Sequence, residues 1–157
     1  MESHITNEVL ENVFFIDGSL RDIYVLDADK DDWQKFYDWV LANPWEILFY
    51  KDGQIAEYKE KVVTNIFKDK ENGTIHLMSI KLNSVLINCH FFSEEELELD
   101  IDPKDVKDIR AASTVFDFMR ELSINLDKES ILTGENCPEN PLVSVRSDGK
   151  GFIRYSA

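Results

Sequence analysis

The chain has 157 residues, of which 43% are hydrophobic and 11% aromatic, and its 31 acidic and 17 basic residues give a formal net charge of −14. This length suits one domain with its own core, so we predict a single domain over residues 1–157. The negative charge argues against direct nucleic-acid binding, which starts from a basic surface, and against binding to anionic membranes. It either favours basic proteins or divalent cations as partners or serves only to keep the protein soluble.

The first residues contain no basic segment followed by a long apolar one, and the longest apolar runs are short pieces such as residues 13–16. They fit neither a signal peptide nor a membrane span. Cys89 and Cys137 are too few for a disulfide framework. We therefore expect a cytoplasmic protein that does not bind membranes.

Four Asp-Gly or Asn-Gly dipeptides lie between segments rich in aromatic and β-branched residues. Such dipeptides favour two-residue hairpin turns because they tolerate positive φ angles. They predict hairpins over residues 12–26, 45–58, 61–82 and 142–155. The alternating apolar residues of 74–92 predict a further strand pair, with Asn83-Ser84 as its turn.

Two amphipathic helices are predicted, one over residues 30–42 and the other over residues 111–126. In the first, Trp33, Phe36, Tyr37 and Val40 recur at helical spacing, and the aspartates before Trp33 suit a helix N-terminus. Together these elements predict an α+β fold, in which an antiparallel sheet of several hairpins carries two amphipathic helices on one face.

Residues 94–102 alternate between acidic and apolar side chains. The alternation predicts a strand with Leu97, Leu99 and Ile101 directed inward. A row of acids is then directed outward, formed by Glu96, Glu98, Asp100 and Asp102. The row could be a solvated face or an edge strand protected by its charge, or it could be a negative surface that steers and positions a basic partner.

The segment 133–142 is predicted to be a rigid polar loop, because Pro138 and Pro141 restrict its backbone. Loops on a rigid scaffold often carry binding residues, so Glu135 and Asn136 are a second candidate contact surface.

The motifs of common cofactor and metal sites are missing from the sequence. Residues 27–31 resemble the start of a calcium loop, but Asp32 stands where that loop requires glycine and Asp38 where it requires glutamate. Cys89 lies on an apolar strand face, where a thiol is unreactive. We therefore predict no metal site, no cofactor and no catalytic residue.

The stretch from Phe91 to Leu142 covers about a third of the chain and has a distinctive order of elements. It contains an acidic strand ending in Asp102-Pro103, a helix with Phe118-Met119, and the segment 131–142 with its Glu135-Asn136 pair. This order resembles a loosely defined group of small uncharacterised bacterial proteins, some of which are immunity proteins that accompany polymorphic toxins. The resemblance implies a bacterial cytosolic protein that binds a toxin, and it implies no catalytic residues.

These observations favour a non-enzymatic, acidic protein-binding module, such as an immunity-type inhibitor of a basic effector. One alternative is a metal-dependent enzyme that uses carboxylates of residues 27–32 and 94–102. Another is a homo-oligomeric scaffold, such as a homodimer, with Trp45 or Phe92 at its interface.

Overall fold

A computed structural model describes residues 5–56 and 63–155. The helices are α1 (Asn7–Val13), α2 (Lys30–Ala42), α3 (Val63–Glu71) and α4 (Ile109–Leu126). The strands are β1 (Arg21–Val25), β2 (Glu46–Lys51), β3 (Gln54–Ala56), β4 (His76–Leu82), β5 (Val85–Cys89), β6 (Leu97–Ile101), β7 (Ser130–Gly134), β8 (Pro141–Val145) and β9 (Gly151–Ile153). A short 3₁₀ helix, Pro103–Asp105, joins β6 to α4.

The nine strands form one antiparallel sheet in the order β3-β2-β4-β5-β6-β1-β7-β8-β9. With the four helices of the described residues, this sheet confirms the predicted α+β fold. The strand predicted over residues 94–102 is β6, and it lies between β5 and β1 in the middle of the sheet. The interpretation of this segment as an edge strand is therefore wrong.

The helices pack on one face of the sheet, and the hydrophobic core lies between them and the strands. Trp33 of α2 stacks on Phe91 and meets Phe67 of α3 edge to face. Phe116 of α4 contacts Phe14, which follows α1. The inward-facing residues of β6 are fully buried beneath these helices, as the alternation of the sequence predicts.

Helix α2 spans the predicted residues because both of its ends are encoded locally. Asp29 accepts a hydrogen bond from the backbone N–H of Asp32, and the Asp32 side chain accepts one from the backbone N–H of Asp29. This reciprocal cap satisfies amides that a helix start leaves without partners. Asn43 and Pro44 then end the helix, since a residue before proline disfavours the helical conformation.

Two of the four dipeptide hairpins are confirmed. Asp52-Gly53 joins β2 to β3, and Asp148-Gly149 lies in the turn between β8 and β9. Residues 57 and 58 of the first predicted hairpin lie outside the described residues. The pair turning at Asn83-Ser84 is also confirmed, since β4 and β5 pair across it.

The hairpin predicted over residues 61–82 is wrong, because residues 63–71 form helix α3. Val63, Ile66 and Phe67 are buried at helical spacing, and that spacing outweighs their tendency to form strands. Gly73, with φ +87°, follows the end of this helix instead of turning a hairpin. Residues 61 and 62 lie outside the described residues.

The hairpin predicted over residues 12–26 is also wrong, because only β1 is a strand there. The preceding chain is held by the buried Arg21 guanidinium, which donates to the carbonyls of Val13 at 2.7 Å and Phe15 at 2.6 Å. A charged donor inside the fold is stable only when its hydrogen bonds are satisfied, and these carbonyls satisfy them. None of the helices in the described ranges has the length and apolar character needed to cross a bilayer.

Candidate partner-binding face

The sheet face opposite the helices, here called the open face, has no helix packed on it in the described part of the chain. Strand alternation directs every second side chain to this face. One row across it contains Ser79 of β4, Asn88 of β5, Asp100 of β6 and Asp22 of β1, which are neighbours in the register. Extending the register of these strands by one residue gives a second row, which contains Leu77, His90, Glu98 and Tyr24.

Hydrogen bonds join three members of the first row, Ser79, Asn88 and Asp100. The Ser79 hydroxyl donates to Oδ1 of Asn88 at 2.7 Å, and Nδ2 of Asn88 donates to Oδ1 of Asp100 at 3.1 Å. Asp100 is only 8% exposed, so these bonds replace much of the water that a surface carboxylate would have. The row therefore holds Asp100 in a fixed position.

His90 joins the two rows through its Nε2 atom, which forms a hydrogen bond and ion pair with Oδ2 of Asp100. This bond is the main cause that raises the pKa of His90, against the lowering effect of burial. The imidazole also stacks on the exposed Phe92 ring, with centroids 4.9 Å apart and planes within 3°. The charged form of this half-buried imidazole is thus favoured, and the imidazole lies beside an exposed aromatic ring.

Tyr24 connects two carboxylates of neighbouring strands. Its hydroxyl lies 3.0 Å from Oδ2 of Asp22 and 3.0 Å from Oε1 of Glu98. A phenol has one proton, so the hydroxyl donates to one carboxylate at a time. The other contact is a hydrogen bond only when the second carboxyl carries a proton of its own.

Burial is the main cause of the shifted pKa values in this group. It raises the pKa of Asp22, to which the negative charges of Asp100 and Glu135 add. It also raises the pKa of Glu98, and it raises that of Tyr24, which stays protonated as a donor. The arrangement therefore favours one proton, besides that of the Tyr24 hydroxyl, shared between Asp22 and Glu98.

The loop after β7 closes one end of this group. The backbone N–H of Asn136, whose φ is +57°, donates to Oδ2 of Asp22 at 2.7 Å. Oε1 of Glu135 accepts from the backbone N–H of Leu20 at 2.7 Å, which ties the loop to the start of β1. The predicted loop and the acidic strand therefore meet at Asp22.

The β3-β2-β4-β5 side of the open face has many apolar side chains at its surface, besides the exposed ion pair of Lys81 with Glu46. Its large apolar side chains are exposed or half-buried in the described structure, and they are Leu48, Tyr50, Ile55, Ile75, Leu77, Leu86 and Phe92. We call this set the apolar half. We call Asp22, Tyr24, Glu98 and Asp100 the acidic half, and His90 lies at the border between them. Contiguous exposed apolar surface is typical of interaction sites.

The predicted row of four outward, solvated acids is only partly correct. Glu98 and Asp100 do share the open face, but Glu98 is half-buried and Asp100 is buried, because neighbouring strands surround them. Glu96 lies before the strand in an isolated bridge with Ser93, and Asp102 lies after it and accepts from the Lys104 amide at 3.0 Å. The four acids therefore do not form one regular row.

The sequence interpretation missed Asp22, Tyr24 and the role of His90. Alternation along residues 21–25 places Asp22 and Tyr24 on the same face of a strand, and the sequence alone indicates this. Their pairing with Glu98 and Asp100 depends on β1 lying next to β6, although the strands are far apart in sequence. No local pattern predicts that neighbour.

Two of the acids in residues 27–32 have structural roles. Asp29 and Asp32 cap α2, and Oδ2 of Asp32 forms an ion pair with Lys128 at 2.7 Å. Across residues 5–56 and 63–155, no three His, Cys, Asp or Glu side chains are grouped so that they could hold a metal ion.

Cys89 is buried, which raises the pKa of its thiol. Trp45 packs on Trp39 at 5.3 Å and is not the free aromatic that the scaffold alternative assumes.

Comparisons with known proteins give no relative from which a function could be transferred. No family model, no curated protein and no solved structure matches the chain.

Proposed function

We propose that the protein is a non-enzymatic binding module that uses the open face of its sheet to bind a basic protein. The observation that carries the proposal is the combination, on one uncovered face, of exposed apolar side chains with adjoining carboxylates. Apolar area supplies much of the affinity of protein interfaces, whereas complementary charge steers the approach and fixes the orientation. The net charge of −14 extends that steering over the whole molecule.

An immunity-type inhibitor of a basic effector is the specific form of this function that we propose. Such an inhibitor needs a rigid acidic surface and no catalytic group of its own. The central position of β6 and the hydrogen-bonded first row make the acidic half rigid. The order of elements in residues 91–142, which resembles that of a loosely defined group including some immunity proteins, supports the same proposal.

The test begins with two photo-crosslinking variants in the cell of origin. One carries the crosslinker at Leu48 on the open face, and the other carries it at Leu41, which is exposed on α2 of the helix face. We expect Leu48 alone to capture a basic protein. Capture of the same proteins from both positions, or of a second copy of this chain from Leu48, would contradict the proposal.

The captured protein is then purified, and its affinity is measured by calorimetry with Leu48→Asp and with Leu41→Asp. The two leucines are 39% and 37% exposed, so the substitutions match in chemistry and in exposure. An aspartate within an apolar contact is desolvated without a partner, so we expect Leu48→Asp to weaken binding by at least about tenfold, or ~1.4 kcal/mol. Leu41→Asp is expected to have no effect. Equal affinities for the two variants would refute the use of the open face.

A further inference from the structure

We infer that the partner presents an arginine or lysine to Glu98, next to an apolar contact with the apolar half, and that at acidic pH its arrival expels a proton held between Asp22, Tyr24 and Glu98. This inference rests on the proposed function and specifies the chemistry of the partner. The group that binds at Glu98 is one basic side chain of the partner, flanked by apolar side chains that contact the apolar half.

The layout of the second row determines where the cation lies. The row runs from Tyr50 and Leu77 in the apolar half through His90 to Glu98. Asp22 and Asp100 are 3% and 8% exposed, whereas Glu98 is half-buried, so Glu98 is the carboxylate that an incoming side chain can reach. Leu77 lies two strands away from Glu98, about 10 Å in the sheet direction, with His90 between them, so a partner that covers Leu77 and His90 also reaches Glu98.

Glu98 has His90 as a basic neighbour, but that imidazole is already paired with Asp100. No Lys or Arg of residues 5–56 and 63–155 forms an ion pair with Asp22, Glu98 or Asp100. The titratable groups that act on Glu98 are Asp22 and Tyr24 of β1, His90 after β5 and Glu96 before β6, whereas Asp100 and Glu135 act on Asp22. All of them except His90 are neutral or negative, so a cation from the partner is favoured here.

The proton follows from the hydrogen-bond count at Tyr24. Its hydroxyl proton serves one carboxylate, and a second proton on either Asp22 or Glu98 serves the other contact. When a guanidinium or ammonium group donates to Glu98 instead, the second proton is no longer needed. It passes to water or buffer, the carboxyl becomes a carboxylate, and no other bond changes.

The planar guanidinium of arginine suits this place because it can donate to both oxygens of Glu98. Lysine offers the same charge without the paired donors. We therefore expect an arginine probe to bind better than a lysine probe of the same length.

The experiment uses blocked tripeptides as probes, acetyl-Leu-Arg-Leu-amide and its uncharged counterpart with citrulline in place of arginine. Each is titrated into the ¹⁵N-labelled full chain at millimolar concentration and followed by NMR. We expect the arginine peptide to shift the amide signals of Tyr24, Glu98 and Asn136 by several-fold more than the citrulline peptide does. Equal shifts for the two peptides would overturn the inference.

Proton release is measured in the same way on ¹³C-labelled chain, from the carboxyl signals of Asp22 and Glu98. We expect the arginine peptide to move their titration to lower pH, and its affinity to weaken by up to about tenfold for each pH unit below the midpoint. An affinity independent of pH would overturn the proton step.

Two variants separate this inference from the proposed function. Glu98→Gln is expected to abolish the difference between the peptides, whereas Glu96→Gln, which removes the same charge, is expected to retain it. If Glu98→Gln binds the arginine peptide as well as the wild type does, the inference fails. The proposed function would still stand on the Leu48→Asp and Leu41→Asp comparison.

Discussion

Replacement of Glu98 by glutamine is predicted to stabilise the fold near neutral pH. In the wild type, Glu98 and Asp22 both lie 3.0 Å from the single hydroxyl of Tyr24. The amide introduced by Glu98→Gln can instead donate to the Tyr24 oxygen, so that the hydroxyl donates to Asp22 and every contact is a hydrogen bond. One additional net hydrogen bond contributes about 0.5–1.5 kcal/mol, so we expect a gain of about 1 kcal/mol in the free energy of unfolding.

The pH dependence of this gain follows from the raised pKa of Glu98. A carboxyl whose pKa is raised by folding contributes stability that is complete below its unfolded pKa, ordinarily 4.5, and that is lost as the pH rises through the folded pKa. Glutamine does not titrate, so the variant keeps its contribution. The difference between variant and wild type should therefore be small near pH 4 and largest near pH 7.

Urea unfolding at several pH values measures the effect, with Glu96→Gln as the matched control. Both variants lower the net negative charge by one, but Glu96 has no such contact with a buried hydroxyl in the described structure. General relief of repulsion should give Glu96→Gln no more than about 0.5 kcal/mol. Equal gains for the two variants, or a loss for Glu98→Gln, would refute the reasoning about Tyr24.

A stability gain at Glu98 combined with a loss of binding would also support a functional role for this residue. Natural proteins commonly retain groups that cost stability where function requires them. The crowded carboxylates of the acidic half fit that description, since their burial raises the pKa values of Asp22 and Glu98.

Two further predictions concern the turn at Gly149 and the ion pair of His90. Gly149→Ala should lower the free energy of unfolding by about 1–3 kcal/mol, because the φ of Gly149 is +88° and an added Cβ would lie 2.8 Å from Cδ1 of Ile124. Gly18 has a φ of +86° but nothing within 4 Å of an added Cβ, so Gly18→Ala should lose only about 1 kcal/mol, from the strained backbone angle. Thermal unfolding measures both losses. His90→Gln should be less stable than the wild type below about pH 6, and the difference should shrink as the pH rises through the raised pKa of His90, because the neutral imidazole loses its charge attraction to Asp100. A difference that grows with pH in urea unfolding would contradict this assignment.

The sequence alone determined the elements whose signals are local. Helix α2 has its cap, its apolar spacing and its terminating proline within one continuous segment. The hairpins at Asp52-Gly53 and Asp148-Gly149 depend only on adjacent residues, and the inward set of β6 follows from alternation. These features could be predicted because the interactions that fix them connect residues close together in the chain.

Tertiary structure decided the features in which local signals conflict or are silent. The same kind of dipeptide that turns two hairpins follows helix α3 at Asn72-Gly73, because the buried spacing of Val63, Ile66 and Phe67 outweighs the turn signal. The pairing of β1 with β6 likewise depends on the whole sheet. It converts an expected row of solvated acids into a partly buried group around Tyr24, since the free energy of a carboxylate depends on which strand lies beside it. The acidity of this protein was evident in its sequence, whereas the place where that acidity can act was set by the order of its strands.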